Sequence, residues 1–375
     1  MTASLPGRLK RLWVVNGKSR NKPENWLRGW TLAHTASLSQ LQKPSWALVN
    51  GELVRYEDVR IHISAEALTR ALSVFEGIKG YWSHSGEVFA IRAPRRHFDR
   101  LCRSASLLQI PVAFTYEGFL AGLAMLADKL LVPDRDLWFR PTLYVTEGHW
   151  GEGTRADLVV TAFTQQMNDP DPMRLGVSTW RRSADVSLPA RVKCSANYVV
   201  ARLARIEARR LGYDDALLLN DFGRIAEATG ACVLIADRRG ITTPPTSEYC
   251  LDSITVDILE QAAFDLGLRF DRHPIERTEL LSADECGVAG TISELTLVAE
   301  VDGFHYEQSG VLSHLRQRYL ELMRGQREAI GVDLVPLVQA DGRQVPSVAG
   351  PFVSVLADAQ TGIPSPTVAA PAGRI

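Results

Sequence analysis

The sequence predicts an α+β protein of two domains, a smaller α/β domain followed by a larger, β-barrel-like one. Three observations point there. A chain of 375 residues is long for one domain and suits two that share an interface. The first half sets β-prone runs around two helical patterns, whereas the second alternates many short strands and hairpin turns with few helices. Between them "QQMNDPDP" reads as a linker. The division that follows is an N-terminal extension (1–45), a small α/β domain (46–168), a large domain (169–333) and a Pro/Ala-rich tail (334–375).

Order begins at "WALVNGELVRYED", where Asn50-Gly51 joins two β-prone runs with the strongest short hairpin signal. A helix is expected from Ser64 to Val74, then strands at "GIKGYW" and "EVFAIR". Pro94 opens a helix through Leu108, and a second runs from Tyr116 to Leu131. "LWFRPTLYVT" and "DLVVTAF" read as strands. Past the linker, residues 198–211 place Val199, Leu203 and Ile206 on one helical stripe and end at Gly212. Residues 254–266 do the same with Ile254, Ile258, Leu259, Ala262 and Leu266, ending at Gly267. Turns at Asp221-Phe222-Gly223 and Asp302-Gly303 suggest antiparallel pairing of the short strands. "TGIPSPTVAAPAGRI" reads as a disordered tail.

A net charge of −1 gives no field that would draw nucleic acid or an anionic membrane. No apolar run reaches the roughly 18–20 residues of a membrane span, and the early "LWVV" is too short for a signal-peptide core. Cys102, Cys194, Cys232, Cys250 and Cys286 are odd in number and form no CxxC pair, which suits reduced thiols in the cytoplasm. The histidines are scattered, so no metal site is expected.

The chemistry starts from "RVKCSANY". From Leu130 onward Lys193 is the only lysine, in a chain that writes its positive charge as arginine almost everywhere. Arginine can replace a charge, but only an amine condenses with a carbonyl, and apolar surroundings ease its deprotonation. Taken alone, such a lysine near a helix start reads first as a surface charge. Tyr198, five residues on, can place a phenol near the same centre. Glu227, in "RIAEATGA", is a carboxylate among small residues that needs a cationic or donor partner, whether a protonated pyridine nitrogen or an ordinary arginine. In "LDSITVDILEQAA", Ser253 is a good N-cap, leaving the amides of Ile254 and Thr255 to cap the helix or to bind phosphate. Thr291, after Gly290, offers a second set of amides. Lysine, tyrosine, carboxylate and phosphate cradle together suit pyridoxal phosphate.

In that order, "KCSANY", "EATGA", "DSIT" and "GTISE" resemble the branched-chain amino acid aminotransferases, the fold-type IV group of pyridoxal-phosphate enzymes. Upstream, "ALSVFEGIKGYW", "HFDRLCRSASLL" and "WFRPTLYV" match the same family, so the resemblance spans about residues 46–330. It implies pyridoxal 5'-phosphate as cofactor, with Lys193 as Schiff-base and proton-transfer residue. Tyr198 would bond the ring oxygen, and Glu227 would keep the pyridine nitrogen protonated. Arg100, Ile254, Thr255 and Thr291 would hold the phosphate. Arg140 would take a substrate carboxylate, Phe75 and Tyr81 would line the side-chain pocket, and Trp138, Thr291 and Ile292 would lie on the substrate side. The activity implied is transamination between a hydrophobic, branched-chain-like L-amino acid and a 2-oxo acid such as 2-oxoglutarate. The alternatives are a fold-type IV lyase or a specialised transaminase with another substrate. A cytoplasmic homodimer is implied too, with small-molecule substrates and neither nucleic acid nor membrane as partner.

Several positions depart from the family pattern. Arg70 stands where an aromatic residue is usual, Lys79 where arginine is, and Trp138 where tyrosine is. Cys232 replaces asparagine, and Ser253 and Val256 replace the glycine and arginine of "GITR". Arg70 reads either as a partner for an acidic or larger substrate or as half of a structural ion pair.

Overall fold

The computed structural model describes residues 42–343 apart from 168, 308–309 and 329–331. Most of the N-terminal extension and the tail beyond 343 therefore lie outside the described residues. The chain opens with β1 (Trp46–Val49) and β2 (Glu52–Arg55), joined by Asn50 and Gly51 at φ 49° and 89°. Two successive left-handed residues are what a tight hairpin turn requires. Then come α1 (Glu66–Thr69), β3 (Ser73–Phe75), β4 (Ile78–Trp82), β5 (Val88–Arg92), α2 (Pro94–Leu107), α3 (Tyr116–Leu130), β6 (Arg135–His149) and β7 (Glu152–Gln166). Next are β8 (Met173–Arg181), α4 (Tyr198–Arg210), β9 (Asp215–Leu219), β10 (Ile225–Ala228), β11 (Cys232–Asp237) and β12 (Gly240–Thr243). The rest are α5 (Ile254–Asp265), β13 (Phe270–Arg272), α6 (Arg277–Ser282), β14 (Glu285–Gly290), β15 (Glu294–Val301), β16 (Phe304–His305), α7 (Val311–Met323) and β17 (Leu334–Gln339).

The first sheet has the order β17-β5-β4-β6-β7-β1-β2, with β3 also on β6, and all its pairings are antiparallel. Phe98, Leu101 and Ala105 of α2 and Phe119, Leu123 and Leu126 of α3 bury with Ile78, Phe89, Ile91, Leu137 and Phe139 of this sheet. Side chains alternate across a strand. With Leu137 and Phe139 in that core, Trp138 and Arg140 project from the opposite face of β6. The second sheet runs β10-β9-β8-β15-β14-β11-β12-β13, with β16 on β15, and curls into a half-barrel. The chain passes from one sheet to the other between Gln166 and Met173.

Four expectations change. The Ser64–Val74 helix shrinks to Glu66–Thr69: Ala71 takes φ 55°, and residues 73–75 pair with β6 instead. The second sheet is mixed, not antiparallel, because α4 and α5 act as crossovers that make β8–β9 and β12–β13 parallel, and β8 also lies parallel to β15. On α4 the apolar stripe faces outward, with Val199 59% and Leu203 37% exposed, while Ala201, Ala204 and Ala208 face the core. Small side chains let this helix lie close to β8 and β9. Finally, residues 334–339 are no tail but an edge strand that returns to pair with β5.

The remaining element ends follow local chemistry. Gly212 and Gly267, at φ 89° and 68°, terminate α4 and α5 as left-handed C′ residues. Ser253 caps α5, its hydroxyl accepting from the Val256 amide at 3.3 Å.

Candidate active site

Lys193 lies at a tight turn, the Cys194 amide donating to the Val192 carbonyl at 2.9 Å. Its neighbours Val192 and Cys194, each 1% exposed, sit in the core of the first sheet, while Lys193 between them lines the cleft. Its backbone is held on both sides: the amide donates to Ser104 Oγ at 3.2 Å and the carbonyl accepts from the Phe75 amide at 3.0 Å. A 3-10 turn (Ser195–Asn197) then folds the chain back, with Asn197 Nδ2 donating to the carbonyls of Pro189 and Val192, both at 2.9 Å. That turn is why a five-residue offset closes: Lys193 Nζ donates to the Tyr198 hydroxyl at 2.8 Å. The Phe75 ring lies tilted 4.9 Å from that of Tyr198, and the amine sits 5.0 Å above it.

The lysine opens into a cleft between the two sheets. Arg100, Lys193, Tyr198, Glu227, Ile254, Thr255 and Thr291 all line it, so every residue expected to hold the cofactor is brought together. The α5 N-terminus contributes unpaired amides and the positive end of its dipole, a ready anion site. Glu227 stands on β10, where the strand bulges; its Oε2 accepts from the Leu251 amide at 3.0 Å. Its Oε1 lies 2.7 Å from Arg182 Nε, an ion-pair contact whose angle is not that of a hydrogen bond. The arginine partner and the cleft-facing carboxylate are thus both present. Cys232 also lines the cleft, its thiol pushed up to about 12 by burial and by Glu227, which keeps it protonated.

The substrate-side residues divide, and of them only Thr291 lines the cleft. Arg140 places its guanidinium 4.6 Å over Phe75 and forms no ion pair among the described residues. Trp138 is buried and stacked on Phe163, its indole nitrogen facing the missing side chain of Gly77. Ile292 is exposed beside Thr291. Tyr81, 1% exposed, belongs to the core around α5 and α7, flanked by Lys79 and Arg324, and does not line the cleft. Arg70 bonds Glu66 at 2.7 Å and stacks on Trp150, the structural ion-pair reading. Lys79 reaches Glu294 at 2.7 Å and so ties β4 to the turn that carries Thr291.

Two residues missed by the sequence reading complete the site. Glu76, fully buried, takes both prongs of Arg100, and His97 bonds the same carboxylate. A carboxylate inside the apolar run "SVFEGIKGYW" was the available signal, because such a group is buried only with partners. Arg182 had no comparable signal.

An amine paired with a phenol, beside a buried carboxylate and an anion-holding helix start on this half-barrel, defines a fold-type IV pyridoxal-phosphate enzyme. Comparison with known proteins agrees. Residues 73–301 match the family described as amino-transferase class IV. The branched-chain-amino-acid aminotransferase of Escherichia coli (strain K12) is 30% identical over 299 residues, covering 76% of this chain and 96% of that protein. A crystal structure of a branched-chain aminotransferase from Thermoproteus uzoniensis with norvaline superposes with a TM-score of 0.72 at 28% identity, covering 76% of this chain and 96% of that one. The T.th. branched-chain amino acid aminotransferase complexed with N-(5'-phosphopyridoxyl)-L-glutamate gives 0.71 at 27%, with 76% and 96% covered. The chain belongs to the class IV aminotransferase family and is a pyridoxal-phosphate-dependent aminotransferase. Among the described residues no helix is long and apolar enough to cross a membrane.

Proposed function

We propose that the protein moves an amino group between a hydrophobic, branched-chain-like L-amino acid and a 2-oxo acid such as 2-oxoglutarate, by a ping-pong mechanism with Lys193 as proton carrier. The observation that carries this is the 2.8 Å contact of Lys193 Nζ with the Tyr198 hydroxyl, inside a cleft shared with Arg100, Glu227 and the α5 N-terminus. That donor set fits pyridoxal phosphate, which when bound supplies the electron sink for the pair left as the substrate's Cα–H bond breaks. Arg100, the amides of Ile254 and Thr255, and Thr291 would hold the phosphate. Glu227 would keep the pyridine nitrogen protonated, and Tyr198 would bond the ring oxygen. Lys193 Nζ would anchor the cofactor and, once the substrate's amine has displaced it as a free amine, would carry the proton from the substrate Cα. Arg140 offers an unpaired planar fork to a carboxylate. Phe75 packs against the substrate side chain. The relatives' branched-chain names, and the norvaline and glutamate groups in their structures, support a hydrophobic donor and a dicarboxylic acceptor. The family resemblance also supports a cytoplasmic homodimer.

The test is a half-reaction. Leucine, isoleucine or valine alone should convert the holoenzyme's absorbance to that of the cofactor's amine form, and 2-oxoglutarate should reverse it. A broad amino-acid panel that leaves the spectrum unchanged overturns the proposal, and pyruvate released without any oxo acid redirects it to a lyase. Lys193→Ala should lower turnover by more than about 10³-fold with the circular dichroism spectrum intact.

A further inference from the structure

Behind Arg100 lies a carboxylate that the transfer chemistry does not use. Glu76 is 0% exposed and directly follows Phe75. Its Oε1 accepts from Arg100 Nε at 2.7 Å and its Oε2 from Nη2 at 2.7 Å, a two-pronged pair. His97 Nδ1 lies 2.9 Å from Oε2. Burial, with Glu76 opposing it, lowers the pKa of His97, and against an acceptor-only carboxylate the Nδ1–H is the donor. On its remaining side Arg100 donates from Nη1 to the Asp252 carbonyl at 2.6 Å, next to the cap of α5. A guanidinium has five N–H groups. Three are thus committed to protein, leaving one on Nη1 and one on Nη2 to meet a ligand in the cleft that Arg100 lines.

We propose that Glu76, with His97 behind it, is a positioning residue for phosphate recognition. It turns the fork of Arg100 inward so that only the two outer N–H groups reach the cofactor's phosphate. It also cancels the arginine's charge, so that the anion is chosen by the direction of these donors together with the α5 amides. This rests on the cofactor reading given above. A carboxylate that merely neutralised a buried arginine would support folding but would not distinguish a phosphorylated ligand from its unphosphorylated form.

Equilibrium dialysis of the full-length chain against pyridoxal phosphate and against pyridoxal separates these roles. In Glu76→Gln, affinity for pyridoxal phosphate should fall roughly 10- to 100-fold while affinity for pyridoxal changes less than about threefold. Glu76→Asp keeps the charge with a shorter reach and should give an intermediate ratio, and it serves as the test if the glutamine variant does not fold. Parallel loss of both affinities, or an unchanged or larger preference for the phosphorylated form, overturns the proposal. Inorganic phosphate supplies an independent arm. It should raise the thermal midpoint of the cofactor-free wild-type chain more than that of Glu76→Gln, and equal shifts count against Glu76. A chain that binds no pyridoxal phosphate yet shows Glu76-dependent protection by phosphate would keep this assignment and sink the cofactor reading.

Discussion

At the scale of single residues, the site depends on what holds Lys193 rather than on the lysine alone. Val192 and Cys194 are pinned in the core and the backbone between them is bonded on both sides, so the amine has few places to go. Cys194 is a buried free thiol that fills space beside the lysine. Arg140 is the complementary case, a guanidinium with no carboxylate of its own among the described residues. Burial depresses its pKa while Tyr198 opposes that, and a guanidinium keeps its charge in proteins. Arg140→Ala should lower kcat/KM for amino-acid substrates about 10- to 100-fold, mostly through KM, with cofactor absorbance unchanged. Single-turnover kinetics check this; an unaltered kcat/KM would remove Arg140 from substrate binding.

At the scale of elements, α2 works as a ruler. His97, Arg100 and Ser104 follow helical spacing along one face and reach Glu76, the cleft and the Lys193 amide respectively. One helix therefore sets Arg100 and the lysine backbone together. Opposite it, α5 presents its N-terminus, and its cap carries a measurable share of stability. Ser253→Ala should cost about 1 kcal/mol by urea unfolding, since an orphan amide loses its acceptor. An unchanged midpoint would show that the hydroxyl does not cap. The alanine face of α4 follows a related logic, since close approach to β8 and β9 leaves no room for larger side chains.

At the scale of the molecule, the cleft joins parts that belong to different sheets. Arg100 comes from the helix layer of the first, while Glu227 and Thr291 come from β10 and the end of β14 in the second. Glu76 links this architecture to pH. Burial alone would raise its pKa from the ordinary 4.5, but the charge and hydrogen bonds of Arg100, then those of His97, outweigh burial and hold it well below the usual carboxylate range. A group depressed on folding adds its full stability above its unfolded pKa and loses it as pH falls toward the folded value. As pH falls below 4.5 it should therefore steepen the fall of unfolding free energy, by up to about 1.4 kcal/mol per pH unit once the unfolded carboxyl is protonated. Urea titrations from there to about pH 3 should find Glu76→Gln shallower by that amount. Equal slopes would mean that Glu76 does not carry the acid limb.

Local signals were enough to reveal the hairpin at Asn50-Gly51, α2, α3, α5 with its serine cap, and the isolation of Lys193, because turn chemistry, helical spacing and amine reactivity are written within a few residues. Motif order was enough to name the seven residues that the structure brings to one cleft. Parallel pairing across α4 and α5, the return of residues 334–339 to the first sheet, and the inward turn at Ala71 depend on partners far along the chain, which periodicity does not see. The same holds for side-chain partners. That Arg70 belongs to Glu66, Lys79 to Glu294 and Arg100 to Glu76 follows from which charges are buried together, and a buried charge takes its meaning from the group packed against it. The sequence by itself determined the chemistry available to this protein; the tertiary structure decided which of its many arginines serve the cleft and which serve the fold.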